Sequence, residues 1–125
     1  MISEGRLILL VDDEADIITS VKRWLQDDGL KVYGFADPLQ ALEYFKNNSG
    51  NIDLVLSDIR MWKMNGYELV KKIKAIQPET KIIFMTALET DRLETSKILP
   101  SIKIDGFMLK PGSLENLVNT INKVI

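Results

Sequence analysis

The chain has 125 residues, 46% of them hydrophobic, and 16 Lys+Arg against 18 Asp+Glu give a net charge of -2. This is the size of one soluble globular domain, without the basic surplus a general nucleic-acid binder carries. Cysteine and histidine are both absent, which excludes disulfides, thiolate chemistry, His-ligated metals, Ser-His or Cys-His catalysis and a phosphohistidine within this chain. Any chemistry must run on carboxylates, hydroxyls, Lys and Arg.

The first predicted element is the apolar run Leu7-Ile8-Leu9-Leu10-Val11, which stops at Asp12-Asp13. A strand apolar on both faces belongs inside a parallel sheet covered by helices. It is also the longest aliphatic run, far below the ~20 residues of a bilayer crossing, so a soluble, cytoplasmic protein is expected. Ile17, Val21, Trp24 and Leu25 then share a helical face, with Gly29 placed for a left-handed C-terminal cap. Lys31 to Phe35 alternates and reads as an edge strand. Asp37-Pro38 is a helix start, Asp as N-cap and Pro at the first helical position, with Leu39, Leu42 and Phe45 at helical spacing.

After the polar loop 47–51, Asp53 to Asp58 reads as a third strand, again ending in a carboxylate. Asn65-Gly66 marks a turn. Leu69, Val70, Ile73 and Ile76 carry the next helix, which Pro78 closes. Lys81 to Met85 is a fourth strand, ending at Thr86-Ala87. Glu89 to Leu99 is a polar helix with only Leu93, Ile98 and Leu99 for an apolar stripe. Gly106 to Leu109 is a short fifth strand that ends at Lys110-Pro111. Ser113 caps a last helix with Leu114, Leu117, Val118, Ile121 and Val124 on its buried face. Five strands alternating with five helices predict an α/β fold, a doubly wound five-stranded parallel sheet with helices on two faces. Residues 1–125 are expected to be a single domain, with no output domain in this chain.

In such a sheet ligands bind beyond the carboxyl ends of the strands. Asp12 and Asp13, Asp58, Thr86 and Lys110 all stand at those ends. Converging carboxylates repel: two unit charges ~4 Å apart interact by roughly 4 kcal/mol at an effective dielectric near 20. A divalent cation relieves that repulsion, and an all-oxygen site with few protein ligands suits Mg²⁺. Metal, ammonium and hydroxyl together form equipment for phosphoryl transfer. Taken singly, each residue has a plainer reading. Asp12 and Asp13 could be helix caps, Asp58 a turn former, Thr86 structural, Lys110 a solvated surface group and Phe107 core.

The chain resembles a receiver domain of two-component response regulators. The matching pieces are Leu10-Val11-Asp12-Asp13-Glu14, Asp58-Ile59-Arg60-Met61 running to Met64-Asn65-Gly66, Met85-Thr86-Ala87, and Phe107 three residues before Lys110-Pro111. The resemblance spans essentially the whole chain and implies a flavodoxin-like sheet of order 2-1-3-4-5. It implies that Asp58 is the phosphoacceptor, taking a phosphoryl group from a phosphohistidine on a partner histidine kinase or phosphotransfer protein. It further implies that Asp13, Asp58 and the main-chain carbonyl of Arg60 ligate Mg²⁺ directly, with Asp12 reaching it through water. Lys110 would pair with the phosphoryl group and Thr86 would shift to bond it, aided by the Ala87 N–H. Phe107 matches the switch aromatic, and Lys110-Pro111 matches a cis peptide bond.

Three departures bear on the output face and the pocket mouth: Trp62 stands where Pro is common, Ile104-Asp105-Gly106 lacks the usual Gly-Ala start, and Gly112 replaces a bulkier residue. Arg60 and Leu88 occupy positions that tune phosphoryl lifetime in the family. The expected function is a phosphorylation switch, without independent substrate turnover. Its output would pass through the surface formed by the fourth helix, fifth strand and fifth helix, to a protein target or a second copy. No direct contact with nucleic acid or membrane is expected. An Asp-nucleophile phosphatase is disfavoured by Arg60, where such hydrolases carry a second Asp. A nucleotide or flavin module is disfavoured by Asp12-Asp13-Glu14, where a Gly-rich phosphate loop would be needed. A degenerate receiver used only for docking is disfavoured because all five acceptor-site residues are present.

Overall fold

The computed structural model describes residues 5–110 and 112–125. Five strands, β1 (Leu7–Val11), β2 (Lys31–Phe35), β3 (Leu54–Asp58), β4 (Ile82–Thr86) and β5 (Gly106–Leu109), alternate with α1 (Ala15–Asp27), α2 (Pro38–Asn48), α3 (Gly66–Ile76), α4 (Asp91–Ile98) and α5 (Leu114–Val124). A short 3-10 turn, Ser49–Asn51, follows α2. All strand pairs are parallel, in the order β2-β1-β3-β4-β5.

β1, β3 and β4 are buried at every position, as expected for strands covered on both faces. Alternate side chains feed two cores. Leu9, Val11, Val55 and Phe84 pack with Phe45, Leu69 and Ile73 on the side of α2 and α3. Ile8, Leu10, Leu56 and Met85 pack with Val21, Leu25, Leu117 and Ile121 on the side of α1 and α5.

Local signals fix several boundaries. Gly29 takes φ 91 after α1. Its N–H and that of Leu30 return to the carbonyls of Gln26 and Leu25, a Schellman pair. Asp37 accepts from the Leu39 N–H at 2.8 Å, and Ser113 from Asn116 at 3.1 Å. Asn65-Gly66, expected as a turn, begins α3 instead: Asn65 caps it by accepting from Glu68. A Cβ on Gly66 would run into the Asp58 carbonyl and the Ile59 Cα, so only glycine lets this helix start so close to the end of β3.

The expected apolar stripes are narrower than their spacing suggests. Leu39, Ile76, Ile98 and Leu114 are exposed, and Leu93 is 71% exposed. Leu39, Ile76 and Leu114 sit at the edge of the stripe their buried neighbours form, whereas Leu93 lies on the face of α4 opposite Asp91 and Thr95. α4 departs furthest, because its buried positions are Asp91 and Thr95. Phe107 is half-buried rather than core, its ring 6.0 Å from that of Phe84 and 5.7 Å from the Arg92 guanidinium.

Candidate functional site

The parallel topology delivers Asp12 after β1, Asp58 at the end of β3 and Lys110 after β5 to one rim of the sheet. Lys110 is set by the last rung of the β4–β5 ladder, its N–H donating to the Thr86 carbonyl at 2.8 Å. Its ammonium donates to Asp12 Oδ2 at 2.8 Å, Glu14 Oε1 at 3.1 Å and Asp58 Oδ2 at 3.3 Å. The other oxygens are also occupied. Asp12 Oδ1 accepts from the Glu14 N–H at 2.9 Å, and Asp58 Oδ1 from the Ile59 N–H at 2.8 Å. The Lys110 side chain is thus drawn into the rim instead of extending into solvent.

Burial and crowding set the electrostatics. Asp58 is pushed up to about 6, first by burial and then by the charge of Asp12, against the lowering pull of Lys110. Burial likewise raises Asp12, more than its hydrogen bonds to Lys110 and Glu14 lower it. Burial works against the Lys110 ammonium, yet its bond to Asp12 and the charges of Asp58 and Asp12 outweigh this and hold it above the ordinary lysine range. The rim therefore carries more negative charge than one ammonium balances. Oxygens of Asp12, Glu14 and Asp58 lie within 4.8 Å of one another. An all-oxygen donor set of this kind fits Mg²⁺.

The expected residues do not all meet. Asp13 lies outside that trio. It is exposed, and its Oδ2 accepts from the Trp62 N–H at 3.1 Å. Together with Ile59, Arg60, Met61, Trp62, Asn65 and Tyr67 it lines a depression of about 430 Å³ beside the loop after β3. Trp62 is 77% exposed. The next residue, Lys63, has φ 71, and the Met64 N–H closes a γ-turn onto the Trp62 carbonyl at 2.8 Å, an uncommon turn for a non-glycine centre. Lys63 is held there by its 2.7 Å bond to Asp37.

Thr86 faces α4. Its Oγ1 donates to Asp91 Oδ2 and accepts from the Leu88 N–H at 3.2 Å. The Arg60 guanidinium, mostly exposed, donates to Asp91 Oδ1 at 2.7 Å. The Lys110-Pro111 peptide bond lies outside the described residues.

Two residues matter here that sequence spacing does not single out. Glu14 follows Asp12-Asp13 in the motif at the end of β1. It precedes α1 without capping it, which leaves its carboxylate free to reach Lys110. Asp91 looks like an ordinary acidic residue in a first helical turn, and nothing local in the sequence reveals that its side chain is fully buried.

Comparison with known proteins settles the family. The family model for the response regulator receiver domain matches residues 8–122. The chain belongs to the response regulator receiver family. The sensor kinase CckA of Brucella abortus is 32% identical over 124 residues, 99% of this chain and 13% of that protein. The response regulator SaeR of Staphylococcus aureus is 31% identical over 118 residues, 94% of this chain and 50% of that protein. The chain thus spans half or less of the length of these relatives. Among solved structures, the response regulator TrrA of Thermotoga maritima, in complex with Mg(2+)-BeF, superposes with a TM-score of 0.81 at 30% identity and covers 96% of this chain and 99% of that one. The receiver assignment places this domain in two-component signalling. No helix among the described residues is long and apolar enough to cross a membrane.

Proposed function

We propose that this receiver accepts a phosphoryl group on Asp58 from a histidine kinase or phosphotransfer protein, with Mg²⁺ bound, and that the modification changes the surface formed by α4, β5 and α5. The observation that carries the proposal is the convergence of Lys110 on Asp12, Glu14 and Asp58. In the transfer, an Asp58 carboxylate oxygen bonds to phosphorus while the bond from phosphorus to the donor's imidazole nitrogen breaks and its electron pair leaves with the imidazole. Asp58 must be ionised to attack, and the raised value of about 6 leaves it so at neutral pH.

Asp12 and Asp58 would hold the metal with Asp13 and the main-chain carbonyl of Arg60, and the carboxylate trio adds Glu14 to the candidates. When bound, Mg²⁺ supplies charge neutralisation for the incoming phosphoryl oxygens. Lys110 is positioned to follow the phosphoryl group, since its ammonium already bridges the acceptor and its neighbours. Thr86, Phe107 and the Ala87 N–H would carry the change outward. Moving a two-state equilibrium from 1:99 to 99:1 takes about 5.5 kcal/mol of differential stabilisation, and a clamped phosphoryl dianion could contribute a large share. The output face offers Leu88, Leu93, Ile98 and Leu109 as exposed apolar contacts for a protein target or a second copy.

The test is incubation with Mg²⁺ and acetyl phosphate, followed by intact-mass measurement. One added phosphoryl group is expected in the wild type and none in Asp58→Asn. An unmodified wild type, or a variant that still gains the group, overturns the reading.

A further inference from the structure

A buried carboxylate in a helix that is otherwise polar needs partners. Asp91 has two: Oδ2 accepts from the Thr86 hydroxyl and Oδ1 from the Arg60 guanidinium. Its side chain is fully buried, whereas Arg60 is 65% exposed. Its main chain is tied in as well, the N–H to Leu88 at 3.1 Å and the carbonyl to the Thr95 hydroxyl at 2.7 Å. At its other end α4 is held by the buried Thr95, whose hydroxyl bonds Tyr67, and by Leu99 just past the last turn, while Leu93 and Ile98 are exposed, so Asp91 is the buried anchor of the first turn. One carboxylate therefore joins the end of β4, the loop after β3 and the first turn of α4.

Both partners flank the acceptor. Arg60 follows Asp58 by two residues, and Thr86 lies one step beyond Met85, the register partner of Asp58. A phosphoryl group on Asp58 would offer a dianionic acceptor to the same hydroxyl and the same guanidinium. A threonine hydroxyl has one proton to donate, so it cannot bond Asp91 and the phosphoryl group at once. Losing these partners leaves the Asp91 carboxylate buried and unpaired, which favours movement of the α4 first turn towards water.

We propose that Asp91 is a positioning residue of the switch, a latch that holds Thr86 and Arg60 in the unmodified receiver and releases α4 when a phosphoryl group on Asp58 competes for them. This rests on the proposed phosphorylation of Asp58 and names the residue through which it reaches α4.

The probe is beryllofluoride with Mg²⁺, a tetrahedral anion that caps a carboxylate, with its affinity followed by calorimetry. Binding by the wild type and its loss in Asp58→Asn test the underlying reading. The latch is tested by the order of affinities among variants that bind. Asp91→Ala frees the hydroxyl and should tighten binding about tenfold, the scale of a charge-assisted hydrogen bond. Asp91→Asn keeps an acceptor for Thr86 while losing the charge, and should tighten it by a smaller factor. The Asp91→Ala gain should persist in a Thr86→Ser background and shrink in Thr86→Ala, where no hydroxyl remains to be freed. Without beryllofluoride, amide hydrogen exchange in the first turn of α4 should quicken in Asp91→Ala. Equal gains from Asp91→Ala and Asp91→Asn would reduce the effect to removal of a negative charge and overturn the latch. So would a gain undiminished in Thr86→Ala, or unchanged exchange in α4.

Discussion

α3 and α4 follow neighbouring strands but are held to the sheet by different forces. α3 buries Gly66, Leu69, Val70 and Ile73, all apolar. α4 buries Asp91 and Thr95, leaves Leu93 and Ile98 in solvent, and meets the apolar core only through Leu99 just past its last turn. Apolar area is non-directional and nearly indifferent to a charge appearing at the rim of the sheet. A hydrogen-bonded carboxylate is directional, and its partners can be taken by a stronger anion. The two helices therefore divide the labour. α3 begins against the end of β3 through Gly66, while α4 is attached at its first turn by directional bonds that, under the proposed latch, a phosphoryl group on Asp58 would exchange.

The largest expected effect falls on the apolar anchor. Ile73→Ala should lower unfolding free energy by 2–5 kcal/mol in a urea titration, through lost burial and a residual cavity. A loss as small as that of an exposed residue would erase the contrast with α4.

Next is the carboxylate rim. Asp58 binds its proton more tightly in the folded protein, about 6, than at its ordinary 3.8. Stability from this group is therefore fully present below about pH 4 and is lost as pH rises through 6. Asp58→Asn removes that penalty and should stabilise the metal-free protein by roughly 3 kcal/mol at pH 7.5, a difference that closes as pH falls towards 4. An advantage constant with pH would place the strain elsewhere. Adding Mg²⁺ at tenfold its Kd should stabilise the wild type by about 1.4 kcal/mol, read as a raised Tm absent from Asp58→Asn. It should also change tryptophan fluorescence through Trp62, and a Trp62→Phe variant that kept the whole signal would move the metal away from the Asp13 side of the rim.

A smaller effect tests an element that neither helix controls. Asp37→Ala removes the cap of α2 and the ion pair that holds Lys63 at φ 71, and should lower stability by about 1 kcal/mol. The smallest belongs to α4. Leu93→Ala should change stability by less than about 0.5 kcal/mol, and a value near that of Ile73→Ala would show α4 to be an apolar anchor after all.

The strands were readable because a parallel sheet buried on both faces demands continuous apolar runs, and Leu7–Val11 and Leu54–Leu56 can be little else. Helix starts were readable at Asp37 and Ser113 because capping is local. Burial at the rim of a stripe was not readable, as Leu39 and Leu114 show, because it depends on how far a neighbouring element extends. The carboxylate rim was visible as residues at strand ends. Its partition was not: spacing gave no reason to separate Asp13, turned to the Trp62 main chain, from Glu14, turned to Lys110.

The amino-acid sequence alone determined the alternation of elements and the types of group placed at one rim, because hydrophobic periodicity and strand polarity are properties of short segments. Tertiary structure decided which carboxylate meets which cation, and that Thr86 and Arg60 share Asp91, because those distances depend on chain segments up to 98 residues apart being packed to within a hydrogen bond of each other.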